Sequence, residues 1–482
     1  MEKRGSISDS RRNNRGGIEE NTLAILDTAD PHKDSQDAND DRIDFLEAVR
    51  FASIVPENGT PPTNKMLAAV FEILRAGKSL ELLMSSYQLL CELDQHFPRV
   101  YLSASQSNES RHLVVRDEAW LPFVLSSDTV ANERELREAN GKNGKNGKNT
   151  SGLFDLTGFH ELIQELTAVA HKSNFEGSDT KCLGNLLLFQ YLVSVIEGDF
   201  VPHNIMYKET SNWNLLKECL LNALLGSRRI SYKALMKDCL FTFCGLYQDL
   251  GGASDSSELS KSSMENSYDY STAMAIAFPE LRKKTCTAMQ KLLRMIMELD
   301  MSKKQADMEG LTTRSDGART PLVEIILDEL TYDRDLLSPF LQVFDEPRWK
   351  LEIILQFFRK YIPKPSVRTR RSNGSSEDLS LNGILKCFSN GTSTKNIVKK
   401  ISMDVVQLLL AHALLALLSM PSEQHIEDTP DCKELIGGSI MEICKNITTA
   451  FNSLKTVDEN IEILPFGKEA LFAAATILSS TS

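Results

Sequence analysis

Apolar residues in this 482-residue chain recur at helical spacing from residue 41 almost to its end, and nowhere do they alternate with polar ones between hairpin turns. Leu67, Val70, Phe71 and Leu74 follow Pro61-Pro62-Thr63 at i, i+3, i+4 and i+7, and Gly77 stops that stretch. Ser79 opens the next helix, whose Leu83, Tyr87, Leu90, Leu93 and Phe97 form one stripe ending at Pro98. Comparable stretches cover 158–172, 182–198, 213–227, 232–251, 274–305, 321–333, 347–362, 403–419, 434–455 and 466–478. The pattern predicts an all-α protein with few or no strands. Many of these helices are apolar over more than half their circumference and need cover on two sides. An irregular armadillo- or HEAT-like stack of helical pairs meets that need, and two abutting bundles divided near 251–271 are the alternative.

Three segments lack the pattern. Residues 1–40 are polar apart from Leu23, Ile25 and Leu26 and read as a disordered tail, while GKNGKNGKN at 141–149 and the Ser-rich stretch 251–271 read as solvated loops. The expected organisation is a tail at 1–40, one helical half at 41–250, a linker at 251–271 and a second half at 272–482.

Catalytic and metal-binding signatures are missing from this reading. There is no phosphate-binding G-x-x-x-x-G-K-[ST] loop and no strand-associated G-x-G-x-x-G. His160-Glu161 begins a zinc-binding H-E-x-x-H, but Gln164 stands where the second histidine belongs, so a surface helix start is expected. The nine cysteines include no C-x-x-C pair, and Cys239 and Cys244, five apart, are read as small core residues. His412 and the methionines 289, 295, 297 and 301 are read as core, and Asp328, Glu329, Asp333 and Asp335 as helix-end charges and caps. No catalytic residue, metal ligand or cofactor is predicted. The N-terminus has no apolar secretion signal, and the longest apolar run, 405–420, is interrupted by Gln407 and His412, which predicts a buried helix rather than a membrane span.

Charge is unevenly spread. The chain carries a net −12, which opposes nucleic acid and acidic lipid as a whole, yet residues 359–400 hold ten Lys and Arg against Glu377 and Asp378, a local balance of +8. Arg359, Lys360, Lys364, Arg368, Arg370 and Arg371 form its core, and Pro363 and Pro365 keep it extended. Nuclear import, phosphate contact and docking of an acidic partner all fit such a tract, as does a merely solvated loop. No aromatic is interleaved with the arginines, which argues against base stacking. Trp349, Phe357 and Tyr361, on the helix just before the tract, are candidate partner anchors.

Several strings point to a known family. VPENGTPPTNKMLAAVFEILRAGKSLELL at 55–83, LLKECLLNALLGSRR at 215–229, the long block 295–371, LNGILKCFSNGTSTKNIVKKIS at 381–402 and IEILPFGKEALF at 461–472 closely resemble, in colinear order, the plant negative regulators of systemic acquired resistance. The resemblance implies a nuclear, non-enzymatic helical-repeat protein that represses defence-gene transcription and dampens homologous recombination. It also implies a regulatory subunit of the chromosome-maintenance DNA-repair complex, with a second helical subunit as partner, transcription factors as further candidates, and chromatin or DNA contacted weakly or indirectly. The Asn/Asp-rich N-terminus, the GKN repeat and the Ser-rich stretch depart from the family pattern.

Overall fold

The structure, a computed structural model, describes residues 20–26, 36–56, 59–104, 111–124, 154–170, 180–226, 229–251, 268–362, 380–420 and 435–480. The expected tail up to residue 19, the GKN repeat and most of the Ser-rich stretch lie outside these residues. The chain forms two compact units, 1–322 and 323–482.

The protein is all-α, as the periodicity predicts. In the first unit α1 is Gln36–Ser53, α2 Asn64–Ala76, α3 Leu80–His96, α4 Leu156–Ala170, α5 Thr180–Thr210, α6 Trp213–Glu218, α7 Leu220–Leu225, α8 Tyr232–Gly251 and α9 Tyr268–Met308. Helix starts follow local chemistry: Thr63 accepts from Met66 N and Ser79 from Leu82 N, each capping the next helix. Helix α1 begins five residues before the expected Asp41, and residues 20–26 are helical too.

One short hairpin breaks the helical pattern. Strands β1 (Val100–Ala104) and β2 (Arg111–Val115) pair antiparallel with Leu102 opposite Leu113. The hairpin lies between the helical stretches that end at Pro98 and begin at 158, and it packs on α5.

Helix α5 is the axis of the first unit and packs against α2, α3, α4, α9 and both strands. The sequence suggests a stop at Gly198, but the helix runs 31 residues, through Gly198 and Pro202. Burial of Phe200, His203, Asn204, Met206 and Tyr207 beyond that point holds it together, so tertiary packing overrides the local breakers. The stretch 213–227, by contrast, splits. Cys219 is extended (φ −64°, ψ 149°), and the backbone N–H of Leu220 donates to Asp199 Oδ2 at 2.6 Å. A buried carboxylate on α5 thus takes the amide that a continuous helix would have used internally.

The flanks of the Ser-rich stretch, α8 and α9, pack against each other, so the boundary between units falls after Leu322 and not at 251–271. The loop after α9 is folded back by charge. Arg319 Nε donates to Asp300 Oδ1 at 2.9 Å, Asp300 Oδ2 accepts from Leu322 N at 2.8 Å, and the Arg319 guanidinium lies over the Tyr232 ring.

The second unit contains α10 (Leu322–Tyr332), α11 (Leu337–Val343), α12 (Pro347–Tyr361), α13 (Leu381–Cys387), α14 (Gly391–Ile401), α15 (Met403–Leu418), α16 (Ile440–Val457) and α17 (Pro465–Ser480). Helix α15 is its centre, packed by α12 and α17. It turns 105° away from α14 at Ser402, whose φ of 95° is left-handed and whose hydroxyl caps Val405 N. No single helix among the described residues is long and apolar enough to cross a membrane.

The core readings hold for Cys239, Cys244, Met289, Met295 and Met297, all at or below 1% exposure. His160 is not a plain surface residue: its Nε2 lies 2.6 Å from Asp238 Oδ2, tying α4 to α8. Asp333 caps the turn at Asp335 N, as its position suggests.

Candidate functional site

The basic tract is framed by α12 and α14. Pro347 starts α12 with its ring at the position where a missing N–H costs nothing. Leu351, Ile353, Ile354, Leu355, Phe357 and Phe358 are all buried, because α13, α14 and α15 pack on this one helix. Phe357 at 1% exposure is therefore core and unavailable as a partner anchor, and Ile353 on the same stripe is equally buried. Trp349 and Tyr361 remain half-exposed, Tyr361 with its ring 5.4 Å from Phe357 and Trp349 beneath the Arg348 guanidinium.

Folding brings both described ends of the tract together. Lys400 Nζ donates to the carbonyl of Tyr361 at 3.3 Å, and Arg334 donates to the carbonyls of Ile401 and Lys400 at 3.1 and 3.2 Å. These cations satisfy carbonyls at the ends of α12 and α14, where positive charge also suits the dipole. Lys360 pairs with Asp328 at 3.1 Å and Lys386 with Glu442 at 3.3 Å. Arg359 is half-buried, while Lys395 and Lys399 are exposed. Lys364, Arg368, Arg370 and Arg371 lie outside the described residues. Much of the described basic charge thus has a structural task, and the rim open to a phosphate or an acidic side chain is narrower than the count of +8 suggests.

Helix α15 carries two polar groups that interrupt its apolar sequence. Gln407 is fully buried, and its amide donates to Glu462 O at 3.2 Å while accepting from Leu464 N at 3.0 Å, so it pins the approach to α17. His412 rests beside the Phe466 ring, and burial together with the charge of Lys350 lowers its pKa to about 4, keeping the imidazole neutral.

A second polar concentration, in the first unit, escaped the sequence reading. On α5, Asp199 is 5% exposed and receives Arg99 Nη1 at 2.6 Å as well as Leu220 N, while His203 Nδ1 meets the Asp199 carbonyl at 2.6 Å. Nearby, burial pushes the Asp94 carboxyl up to about 7 and the Cys91 thiol up to about 11. Tyr87, Cys91 and Asp94 share one face of α3 at i, i+4 and i+7. That spacing was visible in the sequence, but Tyr87 was absorbed into an apolar stripe. Among the described residues no group of His, Cys, Asp and Glu is arranged to hold a metal ion.

The chain matches the SNI1 middle domain over residues 99–346 and the SNI1 C-terminal domain over 362–482. It is also 50% identical over 467 residues to the negative regulator of systemic acquired resistance SNI1 of Arabidopsis thaliana, covering 96% of this chain and 95% of that one. The chain belongs to the SNI1 family. No solved structure matches it. The domain match breaks between 346 and 362, where α12 lies, although six residues of that helix are buried in the second unit.

Proposed function

We propose that this SNI1-family chain is a non-enzymatic negative regulator of plant defence-gene expression. The observation that carries the reading is identity of half the residues, along nearly the whole length of both chains, with a relative named as a negative regulator of systemic acquired resistance. Two all-α units with long helical faces suit a protein that works by holding other proteins. In the finer form of the proposal the chain acts in the nucleus as a scaffold and co-repressor. There it serves as a helical regulatory subunit of the chromosome-maintenance DNA-repair complex, beside a second helical subunit, and restrains homologous recombination. Trp349 and Tyr361 are its candidate anchors on α12.

The test is complementation. Expressed in an Arabidopsis line lacking the relative, this chain restores repression of defence transcripts and lowers recombination frequency. Elevated transcripts despite normal accumulation of the protein would remove the proposal.

A second reading, a repressor that binds DNA directly through 359–400, is favoured by the local balance of +8. It requires log affinity for duplex DNA to fall steeply with log salt, and replacement of Arg368, Arg370 and Arg371 by Glu to lower both affinity and slope. The co-repressor reading expects weak DNA binding that the triple replacement barely changes. It also expects a folded triple variant that stays cytoplasmic if the tract serves nuclear import.

A further inference from the structure

A cleft of about 600 Å³ opens between α3 and α5, with Met84, Tyr87, Cys91 and Asp94 on one wall and Ser194 and Gly198 on the other. Gly198 is exposed in mid-helix, and no atom lies within 4 Å of where its Cβ would stand. Glycine there weakens the helix relative to almost any other residue, and its effect is to keep the wall low.

The charged residues lining the cleft are Glu92 and Asp94, with no Lys, Arg or His among the lining groups. Glu92 Oε1 is held at the rim by Arg50 at 2.7 Å and Gln88 at 3.1 Å, but its Oε2 is buried without a hydrogen-bond partner. Tyr191 is 1% exposed and borders a smaller space, about 70 Å³, that shares Asp94, Ser194 and Gly198 with the cleft. Its hydroxyl faces the Asp94 carboxyl and interacts with it. The cation bordering that smaller space, Arg99, is already engaged by Asp199.

A buried oxygen without a partner, such as Glu92 Oε2, costs free energy until a donor arrives, and a cleft lined by one sign of charge concentrates its field. Met84, 40% exposed, together with Tyr87 and Cys91, adds apolar surface beside the carboxylates. Apolar surface leading to acidic oxygens matches a side chain with a hydrocarbon stem and a cationic head.

We propose that the α3–α5 cleft docks a partner protein by seating one of its lysine or arginine side chains, stem along Met84, Tyr87 and Cys91 and head between Asp94 and Glu92. The inference rests on the reading of the chain as a scaffold and names one surface through which it works. It concerns the acidic first unit and is separate from the basic tract of the second.

The test uses the full chain and a capped hexalysine peptide, with capped hexaglutamate and spermine as comparisons. Because the whole chain carries −12, attraction alone is not enough, and Gly198→Phe separates the possibilities by filling the cleft without touching charge. The proposal expects hexalysine to bind, hexaglutamate not to bind, and both Gly198→Phe and Asp94→Asn to weaken hexalysine at least tenfold while the melting temperature holds. Glu459→Gln, an exposed neutralisation in the second unit, should leave binding unchanged. Failure of hexalysine to bind, equal binding by Gly198→Phe, or equally tight cleft-dependent binding of spermine would each overturn the docking site. Complementation reports on the scaffold reading independently, so loss of repression with an intact cleft signal would indict that reading and not the cleft.

Discussion

Helices α5 and α15 each stand at the centre of their unit, but they are bound into it differently. Helix α5 buries Gln190, Asp199, His203 and Asn204, and three of them are tied to other segments: Gln190 to Leu281 O and Thr285, Asn204 to Glu298, Asp199 to Arg99 and to the start of α7. Helix α15 is surrounded by hydrocarbon, with Val406, Leu409, Leu410, Ala413 and Leu414 fully buried, and makes one neutral polar clamp through Gln407. The lesson concerns register. A stack of similar apolar helices has many near-equivalent packings, and a buried ion pair or amide clamp rewards only the alignment in which its partners meet.

The first unit should therefore be the more brittle to single polar losses. Asp199→Ala strands Arg99 and the Leu220 amide together, and we expect a loss of about 3–5 kcal/mol in urea unfolding. A loss under about 1 kcal/mol would mean that α7 keeps its place without this carboxylate. Gln407→Ala should cost less, about 1–3 kcal/mol, because its partners are neutral and two in number.

The units should also respond to pH with opposite sign. The folded pKa of Asp94 is raised from 3.8 to about 7, so the stability this group contributes is present below pH 4 and is lost as pH rises through 7. The folded pKa of His412 is lowered from 6.5 to about 4, so its contribution is present above 6.5 and is lost as pH falls through 4. Segment-resolved hydrogen exchange, corrected for intrinsic rates, should show α3 and α5 loosening between pH 4 and 8 and α15 loosening between 6.5 and 4. Asp94→Asn and His412→Gln should each flatten one trend and leave the other. Smallest of all is Lys360→Ala, which removes an exposed pair with Asp328 and should cost no more than about 0.5 kcal/mol.

How much of this was legible in the sequence follows the same division. Apolar periodicity announced the helices and the burial of α15, because hydrocarbon cores are written in residue type alone. The extension of α5 past Gly198 and Pro202 was not legible, since what sustains it is burial against segments distant in the chain. The break at Cys219 was hidden for a related reason: its cause, Asp199, lies twenty-one residues upstream of the Leu220 amide that it accepts. The candidate anchor Phe357 failed because a helix apolar on two faces gives no sign of which face the rest of the fold will cover, and here both are covered. The basic tract was legible as charge, but not the diversion of Arg334 and Lys400 to helix-end carbonyls.

The proposed function has the protein working in company rather than by catalysis. The most direct measurement is sedimentation of the tagged chain from plant nuclear extract, with its co-eluting proteins identified. We expect it to run well above the 53.9 kDa of a single chain, with protein partners in fixed proportion and with the assembly surviving nuclease treatment. A protein that sediments alone near 53.9 kDa, or one whose larger assembly dissolves with nuclease, would contradict the account.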